Sequence, residues 1–469
     1  MRGQIGLALA LAAALAPTAT AQAKSGSGCD RQRPTWVHHA GGVPIDRPPA
    51  VVPCGTETGF YTGETGIQVA PNGTVWFSAA DWEWALARGN LDGKFSLFRV
   101  PGPQAFPGCG VGTTAFTPCS DSESDRYNTV ADAYVMTDRD TGRTFWSKTY
   151  GYAVCSSLNY SDDFEYWHAV SRFACPGGDY GKMAAGPPPA NGTKPTGYPN
   201  VVYECVNTYA PTFVVGPSRS CFVSLDGGAS WNPGGAPVVP SPLAPGCLHF
   251  QEPPMVGRDG TLYQPLGCAN NGVMVAMSTD EARTWTYASV PTGDSGATTG
   301  LIGTGVSSAV DDAGTLYVIW PGTGNKTYLA SSKDKGATWT APMMVSAPGI
   351  TPATPPAQIT AREPGHIAIA YYGYGPGGSA STLNGYLTES RDASSANPTF
   401  ESAQLNDTDS PLYFPVDSGT LPRNDYLGVT IAPDGTPWTA LVKLRSAKSD
   451  DQGYVQSTGF AGRLEGPNS

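Results

Sequence analysis

Ser332-Lys333-Asp334-Lys335-Gly336-Ala337-Thr338-Trp339 decides the fold, because each residue type suits one place in a tight β-hairpin. The Asp carboxylate can accept hydrogen bonds from the turn backbone, Gly supplies a position with positive φ, and Trp offers an indole to pack between neighbouring sheets. The pattern recurs as Ser224-Leu225-Asp226-Gly227-Gly228-Ala229-Ser230-Trp231 and, without the Gly, as Ser278-Thr279-Asp280-Glu281-Ala282-Arg283-Thr284-Trp285. Weaker copies are Ser161-Asp162-Asp163-Phe164-Glu165-Tyr166-Trp167 and the interrupted Ser390-Arg391-Asp392 with Thr399-Phe400, and Asp92-Gly93 has the form of a remnant. One residue type repeated in copy after copy reads as a structural part rather than a catalyst.

About 20 to 27 residues ahead of each copy stands a second unit, an apolar strand, an Asp/Asn-Gly turn and another strand. Its clearest form is Ile67-Gln68-Val69-Ala70-Pro71-Asn72-Gly73-Thr74-Val75-Trp76-Phe77, and it returns around Gly142, Gly260, Gly314 and Gly435. A Pro364-Gly365 variant lies between Ile359 and Ile369, and a stretched copy joins Lys182-Met183-Ala184-Ala185 to Asn200-Val201-Val202-Tyr203. From Gly73 to Gly435 the seven copies are about 60 residues apart. Two hairpins per repeat give a four-stranded antiparallel sheet, and a ring of such sheets is a β-propeller. The reading is an all-β, seven-bladed propeller, with six blades as the alternative.

The Ser-x-Asp-x-Gly-x-Thr-Trp unit resembles the Asp box of the sialidase superfamily, and the resemblance spans roughly residues 62–462. It implies glycan chemistry: sialidases cleave terminal sialic acid with retention, three arginines hold the sugar carboxylate, an Asp is the acid/base, and a Tyr assisted by Glu is the nucleophile. Asp boxes also occur in glucanases, sorting receptors and assembly factors. The chain departs from the sialidase pattern in repeat number, since those catalytic domains have six blades. It departs again where Phe60-Tyr61-Thr62-Gly63-Glu64 stands in place of the family's Arg-Ile-Pro motif.

Topology and chemistry therefore supply the site expectations. Residues entering innermost strands should ring one end of the central channel, and Glu64, Asp179, Glu252 and Asp425 fall there. Tyr180 and Tyr426 follow two of these acids, and His249 stands beside the third. Carboxylates from different blades converging on one cavity could shift one another's pKa values, as acid/base catalysis requires. Tyr426 or Tyr180 is the candidate nucleophile, Glu252 or Glu64 its partner, and Asp425 or Asp179 the acid. Arg423, Arg126 and Arg172, placed in entering loops, are candidate carboxylate ligands. A bland reading, strand-end capping, competes at each position. Two further functions stay open: a non-catalytic propeller binding glycan or protein, and a polysaccharide lyase with His249 or His168 as base.

Arg2, the apolar run from Ile5 to Leu15 and Ala21-Gln22-Ala23 read as a signal peptide over residues 1–23, so a secreted, extracellular protein is expected. Residues 24–59 read as an N-terminal extension with a disulfide, and 60–469 as the propeller. The ten cysteines fall in chain order into neighbours, Cys29 and Cys54, Cys109 and Cys119, Cys155 and Cys175, Cys205 and Cys221, Cys247 and Cys268, although sequence does not fix connectivity. There is no Cys-x-x-Cys pair and only five His, so no metal or other cofactor is expected, with a structural calcium ion left open. A net charge of -11 argues against nucleic acid and anionic membranes. The expected partner is an extracellular glycan or glycoconjugate, and the expected state a monomer.

Overall fold

The computed structural model describes residues 28–466 apart from 64, 79–84, 91–93, 100–129, 151–154, 174–178, 209–217, 240–246, 248–252, 269–271, 298–304, 354–356, 418–426 and 450–454. Side chains of a few strand residues beside these gaps are also undescribed. The turns position everything else. Gly73, Gly142, Gly260, Gly314, Gly365 and Gly435 all take φ between 77° and 86°, a conformation that costs a residue with a Cβ but not glycine. Each reverses the chain between a first, innermost strand and a second strand.

The protein is an all-β β-propeller. Its described strands form seven antiparallel sheets, numbered here from the amino-terminal side by their innermost strands: Ile67–Val69, Val130–Thr137, Asp179–Gly186, Met255–Val256, Ser307–Val310, Gln358–Ala361 and Gly428–Ile431. Each innermost strand touches the next, and the last returns to touch the first. Of residues 24–59, expected as an extension, the described ones, 28–59, include strands that pair with this body. Thr35–His39 pairs with Thr399–Gln404 of sheet 6, and Val52–Glu57 pairs with Val455–Glu465 as the fourth strand of sheet 7. Cys29–Cys54, Cys205–Cys221 and Cys247–Cys268 are disulfides. Cys109 and Cys119 lie outside the described residues, as does the side-chain chemistry of Cys155 with Cys175.

Packing between sheets comes from the second strands. Trp76, Trp146, Trp320 and Trp438 are fully buried there. Where sheet 7 meets sheet 1, Trp438, Ala440 and Ala461 press on Ile67, Val75 and Phe77. Trp231 and Trp339 of the Ser-x-Asp turns are half-buried, and each packs against an apolar cluster that joins its own sheet to the preceding one. Each also bonds back to its own hairpin, donating from Nε1 to the carbonyls of Gly228 and Gly336 at 3.0 Å.

The aspartates in those turns are structural. Asp226 Oδ1 accepts from Ser230 N and Ser224 Oγ, both at 2.8 Å, while Ser224 Oγ accepts from Gly228 N at 2.8 Å. Asp280 and Asp334 repeat the arrangement. Partial burial pushes the Asp226 carboxyl upward, but its bonds from Ser230 and Ser224 outweigh this and hold it below the usual carboxylate range.

Two predictions follow from these contacts. Asp226→Ala should lower unfolding stability by about 1–3 kcal/mol in urea titrations by leaving turn donors unmet, without altering ligand binding in the channel. His38 is fully buried and stacked on Phe400 at 5.6 Å, and burial lowers its pKa from 6.5 to about 4. The unfolded chain therefore takes up the proton first, so stability present above pH 6.5 should fall as pH drops from 6.5 to 4, by up to about 3 kcal/mol. His38→Phe should flatten that segment of the stability–pH curve; an unchanged slope would assign the acid lability elsewhere.

Candidate functional site

The innermost strands of all seven sheets enclose a central cavity of about 290 Å³, at the lower end of the size of ligand pockets. Its polar lining includes Gln68, Thr137, Ser307, Gln358, Thr360 and Thr430, interleaved with Val69, Met136, Met183 and Met255. Hydroxyls and amides alternate with apolar groups because a strand turns successive side chains to opposite faces, and adjacent sheets meet with different registers. Several polar groups link neighbouring sheets: Thr430 Oγ1 donates to Gln68 Oε1 at 3.5 Å, and Ser307 Oγ accepts from Ile359 N at 3.3 Å. Among the described lining residues the charged ones are Arg139 and Arg362, and none is a carboxylate. The described channel can hydrogen-bond a polar ligand, but it contains no acid/base pair.

At the end where the first strands turn into the second, charged side chains cross from sheet to sheet. Arg139 of sheet 2 pairs with Asp312 of sheet 5 at 2.9 Å, and Arg258 of sheet 4 reaches the same Asp312 at 2.7 Å and also pairs with Asp140 of sheet 2. Asn200 Nδ2 donates to Asp140 at 3.1 Å and to the buried Asp138 at 2.9 Å. Arg362 of sheet 6 pairs with Glu363 at 3.2 Å and donates to the Ile431 carbonyl of sheet 7 at 3.4 Å. Burial, followed by the charges of Arg258 and Arg362, draws the Arg139 pKa below its ordinary value in spite of Asp312. Burial also acts against the charge on Arg258, but bonds to Asp140 and Asp312 outweigh it and raise that pKa. These contacts tie sheets 2, 4 and 5 together across the axis at the turn end of the channel.

At the opposite end the chain enters each innermost strand. Asp179 opens the innermost strand of sheet 3, paired with Asn207, and Tyr180 follows it in that strand. Their side chains are not described. Glu64, Arg126, His249, Glu252, Arg423, Asp425 and Tyr426 lie outside the described residues. By chain order Glu64, Glu252 and Asp425 precede innermost strands that begin at Ile67, Met255 and Gly428.

Two placements need correction. Arg172 is not in an entering loop: it belongs to His168–Phe173, the outermost strand of sheet 2. Three strand spacings of about 4.8 Å separate that strand from the innermost one. His168 begins the same strand and is exposed, stacked on Tyr160 at 4.9 Å and edge-on to Tyr166, so it does not face the channel. Both errors come from the length of the third strand, Cys155–Ser161, which the sequence leaves unmarked at its start.

The turn-end arginines were missed, although a signal was present. Arg139-Asp140, Arg258-Asp259 and Arg362-Glu363 place an Arg followed by an acid in three turns between first and second strands. In a propeller those turns surround one end of the axis.

No known family model matches the chain, and no curated protein matches it. Similar solved structures include AofleA from Arthrobotrys oligospora, 13% identical over 75% of this chain and 90% of that one, with a TM-score of 0.42. A fungal lectin, Aleuria aurantia lectin, described as a six-bladed β-propeller with a novel fucose recognition mode, is 13% identical over 70% of this chain and 92% of that one, with a TM-score of 0.39. A mutant of NanB sialidase from Streptococcus pneumoniae is 10% identical over 94% of this chain and 98% of that one, with a TM-score of 0.42.

The cross-axis pairs generate a prediction. Asp312→Asn removes the carboxylate shared by Arg139 and Arg258 and should cost about 1–2 kcal/mol at low salt, since these groups are only partly exposed. The loss should shrink as ionic strength rises. Equal losses at low and high salt in urea titrations would mean that the network does not hold the sheets together.

Proposed function

We propose that the protein is an exported glycan-directed propeller that takes the end of a sugar chain into its channel from the entering face. The neutral hydroxyl and amide lining carries this reading, because Gln68, Ser307, Gln358 and Thr430 offer donors and acceptors suited to sugar hydroxyls, while the charged groups at the turn end are engaged in ion pairs. On this reading each of the seven sheets is one blade, the Ser-x-Asp turns are Asp boxes, and residues 1–23 are a signal peptide. The disulfides suit an extracellular setting. No helix among the described residues is long and apolar enough to cross a membrane.

A second reading adds catalysis. The position of Asp179 at the start of an innermost strand favours it, with Glu64, Glu252 and Asp425 as the other acids and Tyr180 or Tyr426 as nucleophile. The protein would then be an exo-glycosidase of sialidase type. The lyase reading is weakened by the outward place of His168 and rests on His249 alone.

The experiment is a paired one on purified mature protein: calorimetric binding of oligosaccharides and hydrolysis of fluorogenic sialosides and other aryl glycosides. Binding without turnover, weakened about ten-fold by Gln358→Leu through loss of a buried amide, is the expected result. Turnover abolished by the Glu252→Gln, Asp425→Asn double variant would install the second reading. Neither binding nor turnover across the panel would overturn both.

A further inference from the structure

The charge pattern of the channel is one-sided. The described lining carries two cationic groups, Arg139 and Arg362, in a chain of net charge -11. The carboxylates that balance them, Asp312 at 2.9 Å from Arg139 and Glu363 at 3.2 Å from Arg362, stand outside the lining. Arg258 and Asp140 stand behind them as well. Of these six charged groups, which sum to zero, the two that belong to the described lining are both positive.

Geometry keeps donors available on that surface. A guanidinium has five N–H donors in a planar fork. The described ion pairing of Arg139 is with Asp312, and Arg362 is bound to Glu363 and the Ile431 carbonyl. Both side chains stay partly accessible, at 23% and 24%. Burial, and after it the charges of Arg258 and Arg362, hold the Arg139 pKa below its usual value in spite of Asp312 and Asp140. Around them the walls are uncharged, with Thr360 beside Arg362 and Thr137 in the strand leading to Arg139.

We propose that the turn end of the channel is an oxyanion-binding site in which Arg139 and Arg362 hold one carboxylate or sulfate group. The ligand chemistry is a small oxyanion, free in solution or carried at the end of a sugar. The site is separate from the acidic positions at the entering end and does not depend on catalysis there. It also stands without the glycan reading, because an inorganic anion suffices to fill it.

The test is thermal unfolding and calorimetry of the mature protein with sodium sulfate, methyl glucuronide and neutral methyl glucoside, at ionic strength held constant with sodium chloride. A saturable rise in melting temperature with sulfate is expected, distinct from the unsaturating rise that excluded salts give. Arg362→Gln should weaken binding about ten-fold or more by removing charge-assisted hydrogen bonds, and Arg139→Gln should do the same if it folds. Arg362→Lys, which keeps the charge but loses the fork, should bind with intermediate affinity. Binding of the uronide as well as sulfate would support the site with a sugar-borne anion as its occupant, and sulfate alone would support it with a free ion. A rise that never saturates and is equal in wild type, Arg362→Gln and Arg362→Lys would overturn the proposal. Saturable sulfate binding of equal affinity in wild type and Arg362→Gln would overturn it as well, and glycan binding that survives the same variant would leave the channel reading intact.

Discussion

Closure of the ring is the constraint on which the other features depend. Gly428 lies so near the first innermost strand that a Cβ there would come within 2.7 Å of the Ile67 nitrogen. Backbone meets backbone at this seam, with the Trp438 and Phe77 side chains filling the wedge behind it. Because each sheet buries one face on its neighbour, an open ring would expose two apolar faces at once. Ring geometry in turn brings seven stretches that are distant in sequence around one cavity, and neither the polar lining nor the paired arginines would exist as a site without it.

The seam is held from outside as well. Val52–Glu57 is the fourth strand of the sheet that ends the chain, and Lys443 Nζ, buried, pairs with Glu57 at 2.8 Å across 386 residues of sequence. Arg33 likewise pairs with Asp407 at 2.9 Å and donates to the Gly28 and Pro53 carbonyls. The Cys29–Cys54 disulfide joins directly opposed residues of the two amino-terminal strands beside them. Hydrophobic packing supplies the general attraction between sheets, whereas these bonds fix which strand completes which sheet.

Sequence made the propeller legible because its turns have strict local demands. A glycine with positive φ at Gly73, Gly142, Gly260, Gly314 and Gly435, and a Ser-x-Asp pair that binds its own hairpin, can both be read within a dozen residues. The amino-terminal strands were not legible, since Thr35–His39 and Val52–Glu57 carry no turn signal and find partners only at the other end of the chain. Arg258 and Asp140 lie 118 residues apart, and nothing in either local sequence announces that they meet. The same blindness misplaced Arg172 and His168: whether a residue faces the axis or the rim depends on counting strands outward, and the third strand of sheet 2 begins without a marker.

The joining of first and last strands has a consequence for biosynthesis. A nascent polypeptide emerges amino terminus first, so the stretch around Val52–Glu57 must wait, uncovered, until Val455–Glu465 has been made. An unpaired strand is an invitation to another chain, and long-range pairing is slow. Its Pro- and Gly-containing sequence, Val52-Pro53-Cys54-Gly55-Thr56-Glu57, is poorly suited to self-association. The last sheet thus acts as a proofreader of length: a polypeptide terminated before its final strand leaves that amino-terminal stretch without the neighbour it was shaped to receive.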